Sequence, residues 1–284
     1  MSDRVCAIVV THGRSEALGP CLNALARQTR PADQILVMLA SGEDRAAAMA
    51  AQALPGAELL PFSGQPGDGF REGLQVARDR DLDWVWLLHD AVADERALEE
   101  LLGAVARANE DGSPPVLMSS KVVRPDGSLD LRSLGRPDAE RVENVVLSFE
   151  RGLAPLRWSS FVSVLISGPA LAEHGLPKAA FAGGVGELEF TARLLRRGDG
   201  YLAPRSVVEH EGPARIKNFH DAPSELPAHV QERMLLLRTS AFEPGEKARL
   251  GFGMLWATSQ GVRSPGQALT VTRAAVKGAF SPIG

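Results

Sequence analysis

Three places in the chain set ionisable side chains where one backbone pattern gives way to another, and each could do chemistry. The first is His89-Asp90, directly after the apolar run at 84–88. A carboxylate at such a strand end can hold Mg2+ or Mn2+ against a diphosphate, because these ions take hard oxygen ligands. It can equally serve as a polar strand terminus or as the cap of the next helix. His89 can donate to a ligand or simply face water. The second place is Glu187 and Glu189, which flank Leu188 after Gly183-Gly184-Val185-Gly186, where a helical pattern begins. The helix dipole keeps a carboxylate there ionised, which suits a general base and suits an ordinary capping residue as well. The third is His210, which ends an apolar stretch between Glu209 and Glu211. Histidine is a frequent partner of metals and phosphates, while a lone histidine is more often structural. The histidines at 174, 220 and 229 fall in no comparable pattern.

The glycines argue against a dinucleotide site. The turn after the first apolar run reads Thr11-His12-Gly13-Arg14, with one glycine where a G-x-G-x-x-G turn needs three. The glycine-dense stretch Gly64-Gln65-Pro66-Gly67-Asp68-Gly69 has a different spacing and precedes the fourth strand. It reads as a connecting loop, and a nicotinamide or flavin enzyme is disfavoured.

The elements that must position these residues follow from periodicity. Short apolar runs at 5–10, 35–39, 58–62, 84–88 and 116–119 predict strands, most of them buried on both faces. Helical patterns separate them: one carrying Leu18, Leu22 and Leu25, an alanine-rich one at 43–53, one at 70–79, and one opening at Asp94 with Leu98, Leu101, Leu102 and Val105 on its apolar stripe. The Asp94 carboxylate can cap that last helix. Strands alternating with helices over 120 residues imply a mainly parallel sheet covered on both faces. Ligands of such sheets bind beyond the carboxyl ends of the strands, so residues 11–14 and His89-Asp90 fall on one edge. The stretch 121–157 is polar and rich in turns. A strand at 161–166, a short helix at 169–174, a helix at 187–197 and strands at 201–203 and 206–210 follow. A helix at 230–238 then leads into a glycine-punctuated amphipathic tail. The expected organisation is an α/β domain over 1–215, with halves meeting near residue 120, and a C-terminal helical extension over 216–284.

Composition bounds the function classes. Of 284 residues, 44% are hydrophobic and 23% charged, values ordinary for a globular protein. Cys6 and Cys21 sit inside apolar patterns without metal-ligand spacing, as buried thiols of a reducing compartment do. No apolar leader precedes the first strand, and no stretch approaches the ~20 apolar residues that span a bilayer. A cytoplasmic location is expected, at most peripheral at the inner face of a membrane. The net charge of −4 argues against nucleic acid as the partner. From Lys247 onward, however, the chain has five basic residues (Lys247, Arg249, Arg263, Arg273, Lys277) and no acidic one. Leu250, Phe252, Met254, Leu255 and Trp256 lie among them, a mixture that suits an anionic membrane surface or a partner subunit such as a second copy.

Taken together, the segments resemble the family-2 glycosyltransferases of GT-A fold over about residues 4–215. V-C-A-I-V-V-T-H-G-R resembles the family's first strand and turn, and L-x-x-C-L-x-x-L-A-R-Q-T-R-P the helix after it. W-V-W-L-L-H-D-A-V stands in the place of the L-x-D-D-D metal motif. G-L-P-K-A-A-F-A-G-G-V-G-E-L-E-F-T-A-R-L-L-R-R-G, followed by Y-L-A-P-R-S-V-V-E-H, is similar to the acceptor-side block, most of all to that of galactofuranosyl- and rhamnosyl-transferring members. The resemblance implies a Rossmann-like α/β domain in which Thr11, His12, Arg14, Arg71, His89 and Asp90 meet the nucleotide sugar. It puts Trp158 and Glu189 on the acceptor side, Glu187 as catalytic base of an inverting transfer, and Asp90 with His210 at a divalent cation, Mg2+ or Mn2+. The donor it implies is UDP- or dTDP-linked, and the acceptor is a glycan, a lipid-linked saccharide or a small molecule. Some positions depart from the pattern. Met38 stands where the second strand usually ends in aspartate, Ala91 replaces the second acid of the metal motif, and Gly184-Val185-Gly186-Glu187 replaces W-G-D-D. Arg157 stands where related sequences often carry an acid. These losses leave a second reading, a GT-A domain that binds a nucleotide, glycan or protein without catalysis.

Overall fold

The computed structural model describes residues 3–11, 15–110, 112–138, 142–181, 184–212 and 223–283. Two compact units divide the chain: Met1–Pro177 with Ala182–Gly212, and Lys178–Phe181 with Pro213–Gly284.

The first unit begins with β1 (Val5–Thr11), α1 (Ser15–Ala26), β2 (Gln34–Ala40), α2 (Asp44–Ala53), β3 (Glu58–Phe62), α3 (Pro66–Arg78) and β4 (Trp84–His89). It continues with β5 (Ala91–Ala93), α4 (Ala97–Ala108), β6 (Leu117–Val123), β7 (Arg136–Pro137), α5 (Val142–Glu150), β8 (Ala154–Trp158), β9 (Ser163–Ser167), α6 (Gly168–His174), α7 (Gly184–Leu194) and β10 (Gly200–His210). The strands form one sheet in the order β3-β2-β1-β4-β9-β6-β10-β8-β7, with β5 pairing β10. β1, β2, β3 and β4 run parallel, β9 is antiparallel to β4 and β6, and β10 is parallel to β6. The α/β class expected from the alternation is the observed one.

β1 shows why its sequence is apolar throughout. Val5, Ala7 and Val9 join a core with Leu18, Leu22 and Leu25 of α1 and Leu98 and Leu101 of α4. Cys6, Ile8 and Val10 join the opposite core with Phe70 and Leu74 of α3 and Phe190 and Leu194 of α7. Side chains alternate across a strand, so a sheet covered on both faces needs apolar residues at both parities. Helix α3 approaches so closely that a Cβ on Gly73 would stand 2.8 Å from Ile8 Cγ2.

Several local expectations need correction. The glycine-dense stretch is not a plain loop, because α3 starts at Pro66, with Gln65 and Asp68 closing a capping box. Asp94 does not cap α4 directly. α4 opens only at Ala97, with Arg96 at the cap position; the Asp94 carboxylate accepts the Arg96 N–H, while its carbonyl accepts that of Ala97. The two strands expected at 201–203 and 206–210 are one, broken by a bulge between Ala203 and Val207. Pro204 lies in that break and has no N–H to give the ladder. The turn-rich middle holds the end of β6 together with β7, α5 and most of β8.

In the second unit, a 3-10 turn at Pro223–Glu225 leads into α8 (Leu226–Arg238), α9 (Pro244–Gly261) and α10 (Pro265–Phe280). Leu226, Val230 and Val271 form its core, flanked by Met234, Met254 and Ala257. Gly278 lets α10 close on α8, since a Cβ there would stand 2.4 Å from the Gln231 carbonyl, and Arg238 donates to the Gly278 and Ser281 carbonyls. Among the described residues no helix is long and apolar enough to cross a membrane.

Candidate active site

The carboxyl ends of β1, β4, β6 and β10 share one edge of the sheet, and of the sequence-selected residues Thr11, His89, Asp90 and His210 lie at those ends. Val10 pairs with His89 in the parallel ladder, so Thr11 stands beside the end of β4. Thr11 is buried, and among the described residues its hydroxyl has no hydrogen-bond partner. Such an orphan normally costs free energy. His12 and Arg14 lie outside the described residues. Arg71 is exposed in the second turn of α3.

Asp90 takes a left-handed backbone, φ 49°, between β4 and β5. Asp and Asn tolerate that region better than other non-glycine residues. The turn sends β5 away from β4 to pair with β10, so that His210 comes opposite Ala91, next to Asp90. Asp90 is mostly enclosed, with Oδ2 3.9 Å from His89 Nε2. Its charge also reaches beneath the sheet edge: burial pushes the Cys21 thiol up to about 12, the Asp90 carboxylate adds to this and the Ala91 N–H opposes it. Ala91 itself is a core methyl among the α1 and α4 side chains. An acid at that position would face the core, which gives the replacement noted in the sequence a physical setting.

Glu187 sits in the first turn of α7 and is half-buried. Its Oε2 accepts the Phe161 N–H at 2.9 Å, while the next residue, Val162, offers its carbonyl to His89 N. One short segment therefore ties the α7 carboxylate to the end of β4. The Phe161 ring packs edge-on against Phe70 (5.0 Å between centroids) and Phe190 (6.0 Å), and Phe70 meets the His89 ring at 5.6 Å. In this apolar setting desolvation raises the Glu187 carboxyl to about 7, against a smaller lowering by the Phe161 N–H. The helix is fixed from behind by Thr191, whose hydroxyl donates to the Ser159 carbonyl while accepting the Ser159 N–H. Arg157 adds a bond to the Ala192 carbonyl. Trp158, half-buried at the end of β8, pairs with Arg136 on β7.

Glu189 is fully buried and bound by both oxygens to Arg193, at 3.0 and 3.3 Å. Arg193 also donates to the carbonyls of His174 and Leu176 and lies 5.3 Å from the Phe190 ring centroid. The pair clamps α7 to the segment after α6, so its carboxylate is committed to structure rather than facing an acceptor.

Sequence reasoning missed Asp130. It is buried, and His210 Nδ1 lies 3.1 Å from its Oδ2. The Ser133 hydroxyl donates to Oδ2 at 2.7 Å, the Arg132 N–H donates to Oδ1 at 3.2 Å, and Arg124 lies 3.8 Å away. Burial acts to raise this carboxyl, but the hydrogen bonds from Ser133, His210 and Arg132 hold it below the usual range. An ionised carboxylate only accepts, so the His210 proton sits on Nδ1 and Nε2 is the remaining ring nitrogen. The only signal in the sequence was an aspartate in a turn-rich stretch, ordinary for a loop.

These donors do not assemble a protein-built metal centre. Ala91 is in the core, Asp130 is engaged by His210, and among the described residues no group of three or more His, Cys, Asp or Glu could hold an ion. The expected pairing of Asp90 with His210 brings two residues near each other without completing a coordination shell.

A sheet of this order, with its polar groups at the carboxyl edge and a carboxylate-bearing helix beside them, is the GT-A fold of glycosyltransferases. The family's sequence profile, Glycosyl transferase family 2, matches residues 6–154, and the chain belongs to that family. Solved structures agree in fold. S. aureus TarS 1–349 in complex with UDP-GlcNAc shares 15% identity at a TM-score of 0.56, over 97% of this chain and 79% of that one. The mannosyltransferase PcManGT from Pyrobaculum calidifontis, in complex with GDP-Man and Mn2+, shares 18% identity at 0.55, over 98% and 81%. Against the longer S. aureus TarS chain, at 12% identity and a TM-score of 0.56, 94% of this chain is covered but only 45% of that one. A search of curated protein sequences returned no match.

Proposed function

We propose that the chain is an inverting transferase that moves a hexosyl group from a nucleotide sugar to a hydroxyl acceptor, with Glu187 as general base. The observation that carries this reading is the Glu187 carboxyl, partly open to solvent yet raised to about 7 by its apolar setting. A base poised near the working pH is most effective, because a large share of it is ionised and it still takes a proton readily. In the proposed step Glu187 takes the acceptor hydroxyl's proton as that oxygen bonds to the anomeric carbon. The bond from that carbon to the diphosphate breaks on the opposite side, and the nucleoside diphosphate leaves. Thr11, Arg14, Arg71, His89 and Asp90 would receive the donor, and Trp158 would face the acceptor. The donor would be UDP- or dTDP-linked, and the acceptor a glycan or a lipid-linked saccharide. Galactofuranosyl or rhamnosyl transfer is the version suggested by the acceptor-side motif. The divalent cation implied by the family lacks a protein-built shell among the described residues.

Thermal denaturation with UDP-, dTDP- and GDP-sugars, with and without Mn2+, identifies the donor, since a ligand of the folded state raises the melting point by mass action. Transfer by the unmodified protein, lowered by about 10²–10⁴-fold in Glu187→Gln while donor stabilisation persists, is the expected result. Undiminished transfer by Glu187→Gln would place the base elsewhere. A second reading, a domain that binds donor without turning it over, is favoured by the core position of Ala91 and the engagement of Asp130 by His210. Donor binding without transfer to any acceptor would select it.

A further inference from the structure

Helices α9 and α10 each carry two apolar faces, and packing within their unit uses only one. The inner face of α10 contributes Val271, Ala274 and Gly278, and α9 turns Met254 and Ala257 inward. On the outside of α10, Leu269, Arg273, Val276 and Phe280 are exposed at spacings of four, three and four residues, which is one stripe of a 3.6-residue helix. Phe280 is 81% exposed. The outside of α9 shows Phe252 and Trp256, 71% and 61% exposed, with Leu255 beside them. A helix needs one apolar stripe to fold against its neighbours, and a second stripe of large side chains held in water marks a contact surface.

Charge selects the occupant. Residues 247–284 contain five cations and no anion, and Arg273 and Lys277 are exposed on and beside the α10 stripe. Two copies joined through these stripes would bring like charges together. A lipid surface with anionic headgroups would instead accept the Phe, Leu and Trp side chains at its acyl boundary and neutralise the Lys and Arg. Trp256 favours that boundary because its indole is amphipathic. We propose that the α9 and α10 stripes form a peripheral docking surface for an anionic lipid bilayer. The inference does not depend on the transferase reading, and either can fail without the other.

Trp256 is a built-in reporter: Trp84 and Trp86 are buried and Trp158 is half-buried. Full-length protein is titrated with phosphatidylcholine vesicles, with and without about 30 mol% phosphatidylglycerol, following tryptophan emission and co-sedimentation. The expected result is a blue shift and vesicle recovery with the anionic vesicles only, reversed by salt. Arg273→Gln with Lys277→Gln should weaken partitioning by roughly 10–30-fold. Phe252→Ser with Phe280→Ser should lower it further while leaving the melting point unchanged, since both side chains are exposed. Equal binding to neutral vesicles, or no binding to either, would overturn the proposal. A lipid-independent dimer in sedimentation velocity that the Phe252→Ser, Phe280→Ser protein dissolves would also overturn it, by assigning the stripe to a second copy.

Discussion

Two regions of the sheet edge each enclose a carboxylate and treat it oppositely. Glu187, at the start of α7, is desolvated and accepts one backbone N–H, from Phe161, and its carboxyl rises to about 7. Asp130, beyond the end of β6, lies deeper but accepts bonds from Ser133, His210 and Arg132, and its carboxyl falls. Burial opposes ionisation in both places. What differs is the balance: desolvation outweighs one backbone N–H at Glu187, while several donors outweigh it at Asp130. A third case lies two residues from the first: Glu189 is buried too, but Arg193 neutralises it. The contrast teaches that exposure alone does not select the reactive group. The partner list does.

The comparison breaks most visibly through Glu187. Its replacement by Gln should lower transfer by 10²–10⁴-fold with little change in donor affinity, read from kcat and KM separately. In the unmodified protein kcat/KM should fall as pH drops through about 7, rather than through the ordinary carboxylate range. A limb near pH 4.5 would show that Glu187 is not the base.

Glu189→Gln should be the largest stability loss, about 3–5 kcal/mol, because it leaves the Arg193 guanidinium without its countercharge in a closed site. Urea denaturation measures it. A loss within experimental error would mean that the three carbonyl and ring contacts of Arg193 suffice.

Asp130→Asn removes the charge that orients His210 and should cost roughly 1–3 kcal/mol. The sign with pH follows from the depressed carboxyl. The stabilisation is present above the unfolded-state pKa and is lost as pH falls through the folded-state one. The gap between the two proteins should therefore close in acid. His210 should also lose its preference for the Nδ1-protonated tautomer, visible in ¹⁵N spectra.

Smaller and opposite in sign, Glu187→Gln should gain stability as pH rises. A raised folded-state carboxyl contributes most below the unfolded-state value and loses that contribution as pH passes about 7. For a half-buried group the gain at pH 8 should reach about 1–2 kcal/mol at most. The smallest effect belongs to Thr11→Val. Removing the unpartnered hydroxyl should stabilise the ligand-free protein by up to about 1 kcal/mol and weaken donor binding. Unchanged donor affinity would remove Thr11 from the site.

The sequence by itself determined the layered α/β architecture, because a strand buried on both faces must be apolar at both parities, and 5–10, 35–39 and 84–88 are. It also marked Asp90 and His210, polar residues at the ends of apolar runs, and Glu187, a carboxylate where a helical pattern begins after a glycine-rich stretch. Other features depended on distant partners. Pro204 hid the continuity of β10, and a capping box turned part of a glycine-dense stretch into helix. Asp130 and His210 are 80 positions apart, and Glu187 is 26 from the N–H that holds it. Two residues apart on a helix, Glu187 and Glu189 must point different ways, but the raised proton affinity of Glu187 could not be read from its place on the helix. Proton affinity is set by which groups the fold brings within hydrogen-bonding distance and how much water it removes, and only the tertiary structure decides both.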